Sequence, residues 1–380
     1  MGFFQYCQTC GKLPREYELI LLLMKNKPLL DLPGVDKRPN EDRERGEPGK
    51  KAYIDTAVEE MIQKQGWKVL FDNDNSQNND WILENIKNGY IRKVLTEKFS
   101  YEYEEKICKH IEQELKRPAN TDLKRFFVLP YEYGVLRSNP DTPEQKTEEV
   151  FFMDMNNGGR SLKKVFGHTE TKSKKPKMSI SSSVHELVEI FNDVLVALKF
   201  LHSINVYHQD LHWGNILCND KGQEPKIIDF GIAVHMTPEN WKDENVRKKI
   251  VTLPPELSNQ KESPEVIPQV MKFLTKEDIF RVARCMYLIL KYIDESITLL
   301  QNDSLQNIED QYISMVLKEL KSKSNLSPEK KTFFIMLGAC IISDSVQEVF
   351  DLKEQMTGNE MDLTRFIKYK DKNKISGYGR

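Results

Sequence analysis

Apolar residues along the 380-residue chain change their spacing more than once, and the changes divide it. From Ala52 to Gln65 they recur at helical intervals (Ile54, Ala57, Val58, Met61, Ile62), and Gly66 supplies a stop. The period then shortens. "WKVLF", "WILENI" and "YIRKVL" read as three short strands. Asn88-Gly89 between the last two signals a two-residue hairpin, because both turn positions need positive φ. "SYEYEEKICKHIEQEL" returns to helical spacing, with Tyr103, Ile107, Ile111 and Leu115 on one face. "FFVLPYEYGVL" and "EEVFFMDM" follow as two more strands. The expected order is three strands, a helix, two strands.

Beyond residue 160 helical spacing dominates. Ser183 and Glu186 form a capping box before Val184, Leu187, Val188, Phe191, Leu195 and Leu198. A second long helix is expected over "DIFRVARCMYLILKYI", opening at Asp278. Residues 26–51 are rich in Pro, Gly and alternating charge, so little apolar surface offsets the cost of ordering them. The expected organisation is an N-terminal extension and linker over 1–51, a strand-rich unit over 52–155 and a helical unit over 156–380.

Composition narrows the class. Hydrophobic residues make up 39% and charged residues 30%, ordinary values for a globular protein. A net charge of -2 gives no global field for nucleic acid or membrane, so neither is an expected partner. The apolar runs "LILLLM" and "FFIMLGACII" are too short to span a bilayer. Six scattered cysteines, of which only Cys7 and Cys10 are spaced as a pair, suit free thiols in a reducing, cytoplasmic setting.

The stretch "NVYHQDLHWGNILCND" (205–220) carries the chemistry. An Asp on a loop can take a proton from an attacking hydroxyl, and an Asn oxygen is a hard ligand suited to Mg²⁺. A second oxygen ligand comes from Asp229 in "IIDFG", which follows a short apolar run and precedes a glycine. One base and two metal ligands are the apparatus of phosphoryl transfer.

On these residues the chain resembles the protein kinase superfamily, over roughly residues 67 to 290. "HQDLHWGN" is similar to the catalytic loop H-R-D-L-x-x-x-N, and "DFG" matches intact. "LPPE" (253–256) resembles the A-P-E that closes an activation segment, and Asp278 matches the Asp that ties its helix to the catalytic loop. The resemblance implies an α+β, two-lobed fold: a small antiparallel sheet lobe with one main helix, and a larger, mostly helical lobe. It implies Asp210 as base, with Asn215 and Asp229 on the metal. "YIRKVL" resembles the V-A-I-K strand and places Lys93 on the phosphates of ATP. Its partner is a Glu on the next helix. Helical phase favours Glu104, with Glu102 and Glu105 as the alternatives. "VFFMDMNNGG" resembles the hinge, with Met153 as gatekeeper and Asp154 and Met155 offering backbone groups to adenine. Leu217 would lie under the base and Ile91 over it. ATP and Mg²⁺ are the implied cofactors, and a protein is the implied substrate.

The chain departs from the pattern in three places. The loop expected to fold over the phosphates reads "DNDNSQNND" and has no glycine. A carboxylate 6 Å from a phosphate charge costs roughly 2–3 kcal/mol at an effective dielectric of 20, so a solvated turn standing off the nucleotide is expected there. Gln209 replaces the loop Arg that meets a phosphorylated activation loop, so activation by such phosphorylation is not expected. His212 replaces a Lys near the γ-phosphate. "DLHWGN" is shared with haspin-type kinases, which do not keep an intact DFG and A-P-E.

The expected activity is Ser/Thr protein phosphorylation. A small-molecule kinase of the aminoglycoside or choline type shares H-x-D-x-x-x-x-N but lacks the closing A-P-E shelf. A silent, nucleotide-free binding module is the other alternative, prompted by the acidic loop. The basic run "SLKKVFGHTETKSKKPK" reads as a solvated insertion.

Overall fold

The computed structural model describes residues 66–72, 81–137, 149–166, 180–219, 221–250, 253–254, 257, 263–293, 308–322, 326–357, 363 and 365–368. The helix expected over 52–65, Cys7 and Cys10, the loop residues 73–80, most of the basic insertion and Glu256 lie outside them.

Five strands form one antiparallel sheet in the order β1-β2-β3-β5-β4. These are β1 (Trp67–Asp72), β2 (Trp81–Asn85), β3 (Ile91–Leu95), β4 (Glu132–Arg137) and β5 (Glu149–Met155). Helix α1 (Lys98–Leu115) follows β3, giving the expected three strands, helix, two strands. It buries Tyr103, Ile107, Ile111 and Leu115, the stripe read from the sequence, together with Tyr101, Glu104, Cys108 and Glu114.

The β2–β3 connection differs from the two-residue turn. Asn85 donates its N–H to the Tyr90 carbonyl, which leaves a four-residue loop, Ile86 to Gly89. Asn85 Oδ1 accepts the Lys87 N–H at 3.0 Å, and this side-chain bond holds the loop open. Gly89 alone takes positive φ, at 71°. "FFVLPYEYGVL" is not one strand either. Pro118 starts a 3-10 helix that runs to Phe126, and Pro130, with no N–H to donate, delays the ladder until Glu132. Phe127 instead bridges to Ile227 in the other half of the molecule.

Beyond β6 (Arg160–Ser161) and α2 (Leu162–Phe166) comes α3 (Ile180–Ser203). The helix starts three residues upstream of Ser183, the start expected from the sequence. Four short strands carry the loop in question: β7 (Val206–Tyr207), β8 (Ile216–Cys218), β9 (Lys226–Ile227) and β10 (Val234–His235). Helices α4 (Pro238–Trp241), α5 (Glu244–Lys249), α6 (Ile267–Ile293), α7 (Ile308–Ser322), α8 (Pro328–Ile342) and α9 (Val346–Thr357) complete the chain. Helix α6 begins eleven residues before Asp278. Its apolar stripe starts upstream, with Ile267, Val270 and Leu274 buried alongside Ile279, Val282 and Met286. Asp278 therefore sits inside the helix, not at its start.

The apolar run "FFIMLGACII" has become the centre of the helical half. Helix α8 buries every residue from Phe333 to Ile341. It packs on α3, α6, α7 and α9, which explains a helix apolar all round. Among the described residues no helix is long and apolar enough to cross a membrane.

Candidate active site

Strand alternation sets the first part of the site. Lys93 pairs with Met153 and Ile91 with Met155, so all four side chains share the sheet face under α1. Arg92 and Asp154, also paired, share the opposite face. There the Arg92 guanidinium forks onto Asp154, both N···O distances being 2.6 Å, and lies between the rings of Trp67 (4.7 Å) and Phe152 (4.0 Å). Gly134 makes room for that layer, since a Cβ there would lie 2.2 Å from the Phe152 ring. Asp154 thus turns its carboxylate away from the cleft, and its carbonyl accepts the Tyr131 N–H at 2.9 Å. Sequence spacing gave no hint of the Arg92–Asp154 fork, because it depends on β3–β5 register.

Glu104 is the glutamate that reaches Lys93, at 2.8 Å. Glu105 pairs with Lys109 and Glu102 with Lys98 on the exposed side of α1. The Lys93 ammonium also meets Asp229 Oδ1 at 2.9 Å. One cation therefore joins the sheet, α1 and the segment after β9. Lys93 holds the Asp229 carboxyl down to about 2, against the opposing effect of partial desolvation. Burial pushes Glu104 up, with Lys93 opposing. Asp229 adopts φ +66°, a conformation that Asp tolerates better than most residues.

The catalytic-loop candidates lie against the stretch that leads to Asp229. Asn215 donates Nδ2 to the Asp210 carbonyl (3.0 Å) and to Asp210 Oδ2 (3.3 Å). That leaves its Oδ1 with no hydrogen bond among the described residues. The Ile228 N–H donates to the Asn215 carbonyl at 3.1 Å, which brings the loop against the residue before Asp229. His208, fully buried, bridges the same two stretches: Nδ1 accepts the Asp210 N–H, and Nε2 lies 3.0 Å from the Ile228 carbonyl. The structure therefore brings together Lys93, Glu104, Asp210, Asn215 and Asp229. Leu217, on β8, contacts the chain leaving β5, where a Cβ on Gly158 would lie 2.7 Å from Leu217 Cδ1.

Asp278 holds the loop from beneath. Its carboxylate accepts the N–H groups of His208 (2.9 Å) and Gln209 (2.7 Å) and lies 3.1 Å from His202 Nε2. Burial alone would raise its pKa, but the His202 bond and the nearby imidazoles hold it below the ordinary value. Asp278→Ala would leave two buried N–H groups unpaired. The expected loss is about 3–5 kcal/mol of stability, read as a lower urea midpoint. Asp278→Asn, which keeps an acceptor oxygen, should lose less.

The donors fit a metal carried by a nucleotide. Asn215 Oδ1 and the second carboxylate oxygen of Asp229 are hard oxygens, and the Asp229 side chain is 43% exposed to the cleft. Among the described residues no group of three or more His, Cys, Asp or Glu could hold a metal by itself. Two protein oxygens with phosphates completing the shell is a Mg²⁺ arrangement.

A model of the protein kinase domain matches residues 133–357, more than half of the chain. The chain belongs to the protein kinase family. Its two-lobed α+β fold, with an antiparallel sheet and a mostly helical remainder, agrees with that membership. Among similar proteins is the serine/threonine-protein kinase KIC1 of Saccharomyces cerevisiae, 26% identical over 202 residues. The alignment covers 49% of this chain and 17% of that protein. The serine/threonine-protein kinase 4 homolog A of Dictyostelium discoideum is 38% identical over 64 residues, covering 17% and 14%. The Raf homolog serine/threonine-protein kinase of Caenorhabditis elegans is 28% identical over 110 residues, covering 27% and 12%. The chain spans less than a fifth of the length of these curated relatives. The kinase domain match begins after Lys93 and Glu104 and does not reach them.

Proposed function

We propose that this kinase domain transfers the γ-phosphoryl group of ATP to Ser or Thr hydroxyls of a protein, with a small lobe over 52–155 and a large lobe over 156–380. One observation carries the reading: the Lys93 ammonium lies 2.8 Å from Glu104 and 2.9 Å from Asp229, and the residue before Asp229 is hydrogen-bonded to Asn215 of the Asp210–Asn215 pair. Lys93 holds the α- and β-phosphates and Glu104 fixes the lysine. Asp210 accepts the proton of the attacking hydroxyl as the new O–P bond forms and the bond to ADP breaks. Asn215 and Asp229 would hold Mg²⁺, which would neutralise phosphate charge. Ile91 and Leu217 would flank the adenine of a bound nucleotide, with Met153 as gatekeeper and Asp154 and Met155 offering it backbone groups.

The kinase domain match and the Ser/Thr kinase relatives favour a protein substrate over a small metabolite. Incubation with labelled ATP, a peptide pool and a metabolite pool tests this. Label in peptide Ser or Thr supports the reading, and label confined to metabolites overturns it.

Loop phosphorylation is not needed in this reading. Gln209 is uncharged, and its Nε2 is already committed to the Ile232 carbonyl at 2.8 Å. The expected result is full activity in protein made in bacteria and treated with phosphatase. A rate that returns only with an upstream kinase would contradict it.

A further inference from the structure

We propose that Lys249 is a positioning residue that clasps α1 to the Asp229–Gly231 turn, doing by its own charge what a loop phosphate would otherwise do. The inference rests on the phosphotransfer reading above and names the regulation of that site.

The sequence "RKK" at 247–249 looks like a solvated basic run, but its three side chains part company. Lys248 reaches Glu244 on the exposed side of α5. Arg247 turns to the Trp241 carbonyl. Lys249 turns inward and donates Nζ to the Gly231 carbonyl at 2.9 Å. The same ammonium lies 4.5 Å from the Tyr103 ring centroid and 5.6 Å from that of Phe99. The two rings stack at 5.9 Å and form an aromatic seat for a cation. Tyr103 precedes Glu104, and Gly231 lies two residues after Asp229. A lysine that holds both neighbours therefore controls where the Lys93 partners sit.

The clasp continues along α1. Lys106 reaches Asn240 Oδ1 at 3.2 Å, and Asn240 donates to the His235 carbonyl at 2.8 Å. The His110 ring stacks on His235 at 4.1 Å. Phe99, Tyr103, Lys106 and His110 follow helical spacing, so they form one stripe. That stripe faces the segment after Asp229 and shares Tyr103 with the stripe that faces the core. Burial lowers the pKa of Lys249, and Glu104 opposes the shift.

The test compares Lys249→Met, Lys249→Arg and the neighbouring control Lys248→Met. Amide hydrogen exchange is followed in peptides spanning 98–104 and 229–232, and kcat and KM are measured with a phosphorylatable peptide. Lys249→Met should lower kcat about tenfold and speed exchange in both peptides, with the peptide KM nearly unchanged. Lys249→Arg, still cationic and able to stack on Tyr103, should recover most of both. Lys248→Met should match the wild type. Wild-type exchange in Lys249→Met overturns the proposal, and so does an Arg variant as impaired as Met. If the unaltered protein transfers no phosphate, the functional reading fails, while the exchange comparison still decides whether Lys249 holds the turn.

Discussion

Replacing Asp210 by alanine is expected to lower the phosphotransfer rate by about 10²–10⁴, the usual share of a positioned general base. The local structure predicts a loss in kcat with little change in binding. Asn215 Nδ2 keeps its 3.0 Å bond to the backbone carbonyl of residue 210, which the substitution leaves in place. The backbone N–H of residue 210 still meets His208 Nδ1. The loop should therefore hold its shape, and Asn215 should still present its oxygen. The Asp210 side chain is 38% exposed, so its removal opens no core cavity. Mg²⁺ and ATP should still raise the unfolding temperature; at a hundred times the Kd that stabilisation is about 2.7 kcal/mol. Asp210→Asn keeps the shape and the hydrogen bonding without a basic oxygen, so it should be nearly as slow. A variant that keeps wild-type turnover would remove Asp210 from the chemistry. Loss of the thermal shift instead would make it a binding residue.

Replacing Asp229 should have the other large effect. Its carboxylate is offered as a metal ligand and also stands 2.9 Å from Lys93, so its loss disturbs both sides of the phosphate site. The expected fall in rate is on the order of 10³, together with loss of the Mg²⁺-dependent part of the thermal shift. Two variants separate charge from backbone. Residue 229 stands at φ +66°, where Ala costs about 1–2 kcal/mol and Asn much less. Asp229→Ala should thus be inactive and the less stable of the two, whereas Asp229→Asn should be inactive and lose only the stability that the charge gains from Lys93. Unfolding of both would make Asp229 structural.

The pH dependence has a definite sign. The folded Asp229 pKa is about 2, below its ordinary 3.8, chiefly because of Lys93. Its contribution to stability is present above pH 3.8 and is lost as pH falls toward 2. Asp229 stays ionised through any ordinary assay range, so an acid limb in the rate profile would belong to another group.

Much of the site was legible because its spacing is local. His208, Asp210 and Asn215 lie on one short loop, and the Asp-Phe-Gly triplet needs no long-range information to recognise. Helical phase alone separated Glu104 from Glu102 and Glu105, since a 3.6-residue period decides which side chain faces inward. Period likewise fixed the order of three strands, helix and two strands.

Other features depended on contacts between distant parts of the chain. Lys93 and Asp229 are 136 residues apart, and only the closing of the sheet and α1 over the helical half brings them together. Register, which local spacing does not set, placed Arg92 opposite Asp154. Packing extended α6 upstream, so Asp278 meets the loop from mid-helix, and it turned Lys249 inward from a run that looks solvated. The sequence by itself determined most of the element types and which side chains are candidates for the chemistry, because those follow from local periodicity and residue type. The tertiary structure decided which groups meet and which helix ends hold, because burial and partner geometry exist only once the whole chain has packed.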